Sequence, residues 1–409
     1  MNIIRTVIVR NCRGITGMTG GETYLLQLLK GFDPQDCNCL FVCIIKPSLG
    51  ETAWLKELKN TGFEYITIPI ENPLNFKDIY QLAKIIKQFN ANIVHALDHR
   101  ANLVSLISAR LTGRPVIASF LGWVNFPKGS WRSIVYPWID RLILKKLDAV
   151  ITDSIAIGEE LRMQEKHPPI VAIRNGIDTK YFNPGNDDLF YINQSFIDDS
   201  DCVFGMVGRI HPVKGHMNFL NAAQQLLKIN PNFRFLITGT VLPGFENYKQ
   251  EILDFISEHE MSNKVMIMEV KLEEIPAVFA SLDVLVAPSY AESFSFTLLE
   301  GMAMEKAVIT SDVGGACEMI NDGETGYLIE VDDVKTLTEK MLMLSRNPEK
   351  IKELGKNARK KIIKDLGLEV MAHNTVSTYR HIIDYKQHGI SSQQALKTLK
   401  QKLAVVSAK

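Results

Sequence analysis

Short apolar runs of strand length recur through the chain, and stretches with helical spacing or polar turns separate them. β-branched residues dominate these runs, which is typical of strands buried on both faces of a parallel sheet. In the first half the runs cover residues 3–9, 40–45, 64–68, 93–96, 116–119, 149–152 and 171–173, and in the second half 203–207, 234–238, 265–268, 284–287 and 308–310. Helical stretches such as 23–31 and 76–88 lie between them. This alternation predicts an α/β chain whose parallel sheets are covered by helices on both faces.

The two series of predicted strands are separated by a turn-forming segment. It begins with Asn175-Gly176-Ile177-Asp178 and continues as a polar stretch rich in Asn, Asp and Pro up to Asp201. A chain of 409 residues is long enough for two or three domains. We therefore predict a doubly wound N-terminal domain (1–177), a linker (178–201), a second doubly wound domain (202–366) and C-terminal helices (367–409).

Charge is balanced over the whole chain but not between its halves. The chain carries 46 Lys and Arg and 46 Asp and Glu. Residues 1–177 contain 21 basic and 15 acidic residues, which leaves 25 basic and 31 acidic residues in the remainder. The positive first half favours an anionic partner or surface, with ordinary solvated faces as the alternative. No apolar run approaches the roughly 18 residues of a membrane span. Arg5 and Arg10 interrupt the apolar residues at the start of the chain, so this segment does not resemble a signal peptide. We therefore expect a cytoplasmic protein.

Metal and disulfide chemistry find little support in the sequence. The six cysteines lack the paired spacing of zinc sites, and we expect reduced, buried thiols. The only Asp-x-Asp motif, Asp199 to Asp201, lies in the predicted linker and is interpreted as a solvated turn. No metal is expected.

Two glutamates, Glu292 and Glu300, flank seven residues just after the predicted strand 284–287. Open α/β sheets bind ligands in loops at the carboxyl ends of their strands. We expect Glu292 in such a loop and Glu300 about two turns into the following helix. Both carboxylates could then face one molecule rich in hydroxyl groups. The acid and base pair of a glycosidase is the alternative, but such carboxyls flank one bond.

A second loop follows the predicted strand 203–207 and opens a helix: Gly208-Arg209-Ile210-His211-Pro212-Val213-Lys214-Gly215. Free amides at a helix start attract anions, and glycine allows a tight turn. Arginine binds a diphosphate bidentately, while lysine acts as a point charge. The loop predicts a diphosphate site, with a polar turn carrying solvated cations as the alternative.

Together these motifs resemble the retaining glycosyltransferases of family 4. The matching string is Glu292-Ser293-Phe294-Ser295, Glu300-Gly301-Met302-Ala303, Asp312-Val313-Gly314-Gly315, Gly323 and Gly326, and the segment 175–178 with Phe182 and Pro184 is similar to the family's interdomain stretch. The resemblance implies the GT-B fold, in which two doubly wound Rossmann-like domains face each other across a cleft. It also implies that a C-terminal helix around residues 370–385 crosses back to the first domain.

The resemblance implies a nucleotide-diphosphate sugar as donor and no cofactor. Arg209 and Lys214 take the positions that bind the donor diphosphate. Glu300 takes the position that binds the nucleotide ribose, and Glu292 the one that binds sugar hydroxyls. The implied donor-binding residues are Gly20, Gly21, Arg209, Lys214, Glu292, Phe294, Ser295 and Glu300, with Glu292, Arg209 and Lys214 as the catalytic group.

The first domain is expected to bind the acceptor. Its glycine-rich loop 14–21 does not fit the dinucleotide pattern, but Gly20-Gly21 resembles the family pair whose amides approach the donor phosphates and the acceptor. Any strand-to-helix turn can also carry glycines. His95 lies near the end of the predicted strand 93–96, Asp98 and His99 follow it, and all three are acceptor candidates. His95 resembles a family position, and a satisfied core histidine is the alternative.

Two positions depart from the family pattern. Leu121 stands where many members have a histidine near the reacting sugar. Ser295 stands where glycine is common, next to the donor phosphates. Neither departure affects the predicted fold or donor site.

The predicted function is transfer of a sugar to an acceptor hydroxyl with retention of anomeric configuration, in surface glycan or lipopolysaccharide biosynthesis. The acceptor would be a glycan or lipid-linked molecule, and no nucleic acid partner is expected. Residues 131–146 interleave Trp131, Tyr136 and Trp138 with Arg132, Arg141, Lys145 and Lys146, so this helix either contacts an anionic membrane or packs into the core. A GT-B nucleotide-sugar epimerase, a synthase with another acceptor and a non-catalytic donor-binding subunit remain alternatives.

Overall fold

The structure is a computed structural model that describes residues 3–12, 20–46, 52–60, 62–69, 76–122, 131–163, 168–186, 196 and 202–388. The chain divides into two compact units. The first comprises Met1–Gly176 together with Leu368–Lys409, and the second comprises Ile177–Gly367.

The first unit is built on a seven-stranded sheet in which the described neighbours run parallel, in the order β3-β2-β1-β4-β5-β6-β7. Its strands are β1 (Ile4–Cys12), β2 (Cys37–Ile45), β3 (Tyr65–Pro69), β4 (Ile93–Ala96), β5 (Val116–Phe120), β6 (Ala149–Thr152) and β7 (Ile170–Ala172). The helices between them are α1 (Gly20–Gly31), α2 (Ala53–Asn60), α3 (Phe76–Gln88), α4 (His99–Thr112), α5 (Trp131–Leu144) and α6 (Ile155–Arg162).

The second unit has a six-stranded parallel sheet in the order β10-β9-β8-β11-β12-β13. Its strands are β8 (Val203–Val207), β9 (Arg234–Thr238), β10 (Val265–Met268), β11 (Val284–Ala287), β12 (Ala307–Ser311) and β13 (Tyr327–Ile329). Its helices are α7 (His216–Leu227), α8 (Glu246–Glu258), α9 (Ile275–Ala280), α10 (Phe296–Ala303), α11 (Ala316–Met319), α12 (Val334–Ser345) and α13 (Pro348–Asp365).

Apolar side chains of β11 point to both faces of the second sheet. Val284 and Val286 belong to one buried cluster, while Leu285 belongs to another. Successive residues of a strand face opposite sides, so both faces of this sheet are covered. The sequence prediction of parallel-sheet α/β domains is confirmed. One strand, β13, lies outside the predicted set, because three residues after a glycine turn give too short a pattern to identify.

The C-terminal helix α14 (Leu368–His388) belongs to the first unit. It packs closely on α1, since a Cβ at Gly31 would lie 2.8 Å from the carbonyl oxygen of Leu368. Arg380 pairs with Asp36 at 2.5 Å, and Lys386 pairs with Asp148 at 2.7 Å. Among the described residues, no helix is long and apolar enough to span a membrane.

The segment 178–186, predicted as part of the linker, lies within the second unit. The guanidinium of Arg359 on α13 donates to the carbonyl oxygens of Phe182 at 2.9 Å and Thr179 at 3.3 Å. This stretch is therefore anchored to its unit. Most of the predicted linker beyond it lies outside the described residues.

The prediction of reduced thiols is wrong for two of the six cysteines. Cys12 and Cys43 form a disulfide between β1 and β2, with Cα atoms 6.0 Å apart. The sequence offered no local signal, because the sheet rather than the 31-residue separation brings them together. Cys37, Cys39, Cys202 and Cys317 are not disulfide-bonded. Burial raises the pKa of Cys37 and Cys202 to about 12, which keeps both protonated.

Candidate functional site

Two loops of the second unit meet at the carboxyl edge of its sheet. β8 and β11 are parallel neighbours, with Val284 opposite Phe204. The loop after β8 leads through Lys214 into α7, and the loop after β11 leads through Glu292 into α10. Parallel strands end at the same edge, so the topology places both predicted motifs side by side.

Glycines let these loops approach more closely than side chains would allow. Gly215 has φ +77°, and a Cβ there would lie 2.0 Å from the carbonyl oxygen of Pro288. A Cβ at Gly239 would lie 1.7 Å from the carbonyl oxygen of Gly208. Both contacts exclude a larger residue, because the obstructing atoms belong to the backbone. Lys214 is thereby held beside the loop that carries Glu292.

Lys214 and Glu292 form an ion pair between these two loops. Their side chains are 16% and 22% exposed, so solvent screens the pair only partly. The hydroxyl of Ser289 also donates to Glu292 Oε1 at 3.2 Å. The backbone N–H of Tyr290 donates to the carbonyl oxygen of Val213 at 2.8 Å, which joins the loops a second time. Lys214 and Glu292 lie 78 residues apart in the sequence, yet their side chains are in direct contact.

Glu300 lies on α10, one helix further into the same site. Desolvation raises its pKa from 4.5 to about 8, and the opposing charge of Lys214 offsets only part of that rise. Its carboxyl group therefore carries a proton for much of the time near neutral pH. A protonated carboxyl group can donate a hydrogen bond as well as accept one.

Arg209 and His211 complete the loop after β8. Within the described residues, no carboxylate pairs with Arg209, so its guanidinium is the free cation of the site. His211 Nδ1 accepts from the N–H of Val213 at 3.1 Å, and its ring lies 4.2 Å from that of Phe245. Desolvation and the charges of Arg209 and Lys214 lower the pKa of His211. The sequence analysis did not single out this histidine; its place between the two cations was the available signal.

The loop entering α10 is supported from below by Gly314-Gly315. Gly314 has φ +54°, and a Cβ there would lie 1.8 Å from the carbonyl oxygen of Glu292. The N–H of Gly315 donates to the carbonyl oxygen of Ser293 at 2.7 Å. These two glycines therefore fix the position of the loop that carries Glu292.

Phe294 and Ser295 are both buried at the start of α10. Ser295 is the N-cap residue with φ −75°, a conformation open to any residue, so replacing the family's glycine there brings no backbone strain. A small cavity lies behind Glu292. Its lining residues are Ala287, Ser289, Glu292, Ser295, Leu298, Thr310, Val313, Ala316 and Met319.

In the first unit, Gly20 and Gly21 open α1. The guanidinium of Arg10 packs on Gly21, where a Cβ would lie 2.7 Å from one of its nitrogens. The same guanidinium pairs with Glu22 at 2.5 Å. Gly21 thus makes room for an internal ion pair. The rest of the predicted glycine loop, residues 14–19, lies outside the described residues.

His95 lies in the core of the first unit rather than at a binding surface. It is 0% exposed, with Nε2 2.8 Å from the hydroxyl of Ser119 and Nδ1 2.6 Å from the hydroxyl of Tyr379. Desolvation lowers its pKa to about 3, so the ring is neutral. Both ring nitrogens are bonded inside the fold, which fits the alternative of a satisfied core histidine, and the acceptor role of His95 stays a prediction.

Asp98 and His99 lie at the start of α4, at the carboxyl edge of β4. Asp98 is the N-cap and accepts from the N–H groups of Arg100 and Ala101, both at 3.0 Å. His99 Nδ1 lies 2.6 Å from a carboxylate oxygen of buried Asp140. These contacts give both residues structural work, and their acceptor role stays a prediction. Leu121 follows β5 at the same edge and is partly buried.

No group of three His, Cys, Asp or Glu side chains in the described ranges is arranged to hold a metal ion. The Asp199 to Asp201 motif lies outside those ranges. Metal independence stays a prediction.

Two family models match the chain in tandem. Residues 18–181 match Glycosyltransferase Family 4, and residues 187–361 match Glycosyl transferases group 1. The capsular polysaccharide biosynthesis glycosyltransferase CapM of Staphylococcus aureus is 28% identical over 79% of this chain and 87% of its own length. The Escherichia coli UDP-Gal:alpha-D-GlcNAc-diphosphoundecaprenol alpha-1,3-galactosyltransferase is 24% identical over 71% of this chain and 75% of its own length.

A solved structure has the same fold along nearly the whole chain. Anabaena Alr3699/HepE, crystallised in complex with UDP, superimposes with a TM-score of 0.76 over 92% of this chain and 100% of that one, at 17% identity. The predicted GT-B architecture is confirmed. The chain belongs to glycosyltransferase family 4, the glycosyl transferases group 1.

Proposed function

We propose that this protein transfers a sugar from a nucleotide-diphosphate sugar to an acceptor hydroxyl with retention of anomeric configuration. The observation that carries the proposal is the meeting of Arg209 and the Lys214–Glu292 pair at one sheet edge. Two cations beside the starts of two helices suit a diphosphate, and neighbouring carboxyl groups suit hydroxyls.

The diphosphate is both the anchor of the donor and the leaving group. Arg209 lacks a carboxylate partner in the described structure and can meet the incoming phosphates at once. Lys214 must exchange Glu292 for a phosphate oxygen. As the bond to the sugar breaks, both cations stabilise the negative charge that develops on the diphosphate.

The two carboxyl groups bind different parts of the donor. Glu292, released from Lys214, accepts hydrogen bonds from sugar hydroxyls. Glu300, with its pKa raised to about 8, binds the ribose hydroxyls and can donate as well as accept. Both glutamates come from one loop and its helix, and this origin argues against a glycosidase, whose carboxyls flank the bond that is cleaved.

The acceptor belongs to surface glycan or lipopolysaccharide biosynthesis in this proposal. CapM is named for capsular polysaccharide, and the E. coli relative is named for an acceptor on diphosphoundecaprenol, a lipid carrier. The protein then works in the cytoplasm, at the membrane face where a lipid-linked acceptor is presented. No metal takes part in this mechanism.

A non-catalytic donor-binding subunit is the second candidate. Leu121 favours it, because a leucine cannot supply the hydrogen bonds of the family's histidine near the reacting sugar. Such a subunit would bind the donor without transferring or slowly hydrolysing it.

A nucleotide screen followed by product analysis tests the proposal. Thermal shift with UDP, GDP and ADP, and then with their sugars, identifies the donor, because a ligand bound only by the folded state raises Tm. UDP is the first to test, since HepE was crystallised with it. Proton NMR of the sugar released by slow hydrolysis reports its anomeric configuration and whether epimerised nucleotide sugar forms instead.

Two variants connect the activity to the site. Lys214→Ala and Glu292→Ala should abolish turnover while the protein stays folded, and Lys228→Ala, an exposed lysine at the other end of α7, is the matched control. Full turnover in both site variants would refute the assignment. Donor binding without hydrolysis or transfer would favour the binding subunit.

A further inference from the structure

Helix α5 exposes apolar side chains that a globular protein normally buries. Trp138, Ile139 and Leu142 are 61%, 41% and 44% exposed. They lie within four residues of one another, so they occupy one side of the helix. Ile143 and Leu144 on the other side are buried. The helix therefore packs into its unit with one face and leaves a second apolar face exposed to solvent.

The charges around this apolar face are basic. Arg141, Lys145 and Lys146 are exposed, whereas Asp140 and Asp148 are buried. Asp140 is paired with His99, and Asp148 is paired with Lys386 and Arg110. In the described part of α5 and the turn that follows, every exposed charge is therefore positive, which complements an anionic surface.

The apolar face lies at the carboxyl edge of the sheet. His99 is the first residue of α4, directly after β4, and its contact with Asp140 puts residues 138–142 at the same level. The preceding residues of α5, from Trp131 onward, extend about 10 Å past this level at 1.5 Å per residue. The face is thus next to the loops that carry the predicted acceptor candidates.

We propose that the α5 face, made of Trp138, Ile139, Arg141, Leu142, Lys145 and Lys146, binds the surface of an anionic lipid bilayer. The composition favours lipid over a protein partner, because protein interface cores are depleted of lysine, whereas membrane-surface helices combine Lys and Arg with Trp and Leu. The inference rests on the proposed function for its purpose, since it would bring the acceptor-binding unit to a lipid-linked acceptor. It rests on the α5 face alone for its chemistry.

Vesicle sedimentation of the full chain tests this surface. The protein should sediment with vesicles that contain phosphatidylglycerol and stay in solution with pure phosphatidylcholine, and raising the salt should release it. Trp138→Ala/Leu142→Ala removes apolar contact, and Lys145→Ala/Lys146→Ala removes charge. Each neutralised lysine should weaken binding by roughly fivefold. Ile363→Ala/Lys364→Ala, an exposed apolar and basic pair on α13, is the matched control and should bind as the wild type does.

The outcomes separate this proposal from its rivals. The proposal would be overturned if the wild type failed to bind anionic vesicles at low salt. It would also be overturned if both α5 double variants bound these vesicles as strongly as the wild type. Concentration-dependent self-association that these variants abolish, without vesicle binding, would make the face a contact between copies and overturn it too. Thermal shift with UDP in the absence of lipid reports the donor site separately. A wild type that binds vesicles but no nucleotide would contradict the proposed function and leave the lipid surface standing.

Discussion

The ion pair between Lys214 and Glu292 leads to a prediction opposite to the usual loss of binding. Without a donor, the carboxylate of Glu292 holds the ammonium group that a diphosphate must take. Glu292→Gln keeps the size of the side chain and its contact with Ser289 but removes the negative charge. A nucleoside diphosphate without its sugar should then bind more tightly, because it no longer competes with a carboxylate for Lys214.

The size of the effect follows from the burial of the pair. A hydrogen bond to a charged group contributes about 1.5–3 kcal/mol, and we take about 1.5 kcal/mol because both side chains retain some exposure to solvent. At about 1.4 kcal/mol per factor of ten, the dissociation constant should fall about tenfold. The sugar nucleotide should gain less, because its sugar loses the hydroxyl contacts of Glu292.

Isothermal titration calorimetry with UDP, or with whichever nucleoside diphosphate stabilises the wild type, measures this change. Turnover should fall in Glu292→Gln even though the diphosphate binds better. The double variant Lys214→Ala/Glu292→Gln should bind as weakly as Lys214→Ala, since the gain acts through the lysine. Unchanged or weaker diphosphate binding by Glu292→Gln would refute this account of the ion pair.

Three further predictions concern the stability of each unit. The pKa of Glu300 is about 8 in the folded protein, whereas its ordinary value is 4.5. The unfolded state therefore loses this proton at lower pH, and the free energy of unfolding should decline as the pH rises from 4.5 to about 8. Urea unfolding measured across this pH range should show a smaller decline for Glu300→Gln. Gly314→Ala should lower the free energy of unfolding by roughly 1–3 kcal/mol and should weaken diphosphate binding, because the added methyl group would clash with backbone atoms. Gly323→Ala, with φ +77° but open space, should keep that affinity in calorimetry. Tyr379→Phe should lower the free energy of unfolding by about 1–3 kcal/mol by leaving a buried ring nitrogen unpaired, while exposed Tyr80→Phe changes nothing in the same urea titration.

The strands and the two ligand loops could be read from the sequence because their signals are local. Residues 203–207, 234–238 and 284–287 are contiguous apolar runs, and the structure places strands at the same residues. The loop from Gly208 to Gly215 carries its glycines and cations in one segment. A pattern contained within about ten residues can be recognised without knowledge of the fold.

Contacts between distant residues could not be read in this way. The pairing of Cys12 with Cys43 depends on two strands becoming neighbours, and the prediction of free thiols failed there. His95 lies near the carboxyl end of β4, where binding residues are expected, yet its side chain points inward to Tyr379, 284 residues away on α14. The direction of a side chain at a strand end depends on what packs behind it.

The sequence by itself determined the family, the two parallel sheets and the residue types of the donor site, because strand periodicity and loop motifs are written in consecutive residues. Only the tertiary structure decided that Lys214 is held by Glu292, that burial keeps Glu300 partly protonated and that α5 leaves an apolar and basic face exposed. Charge pairing, desolvation and exposure depend on which segments become neighbours. Those quantities exist only once the chain has folded.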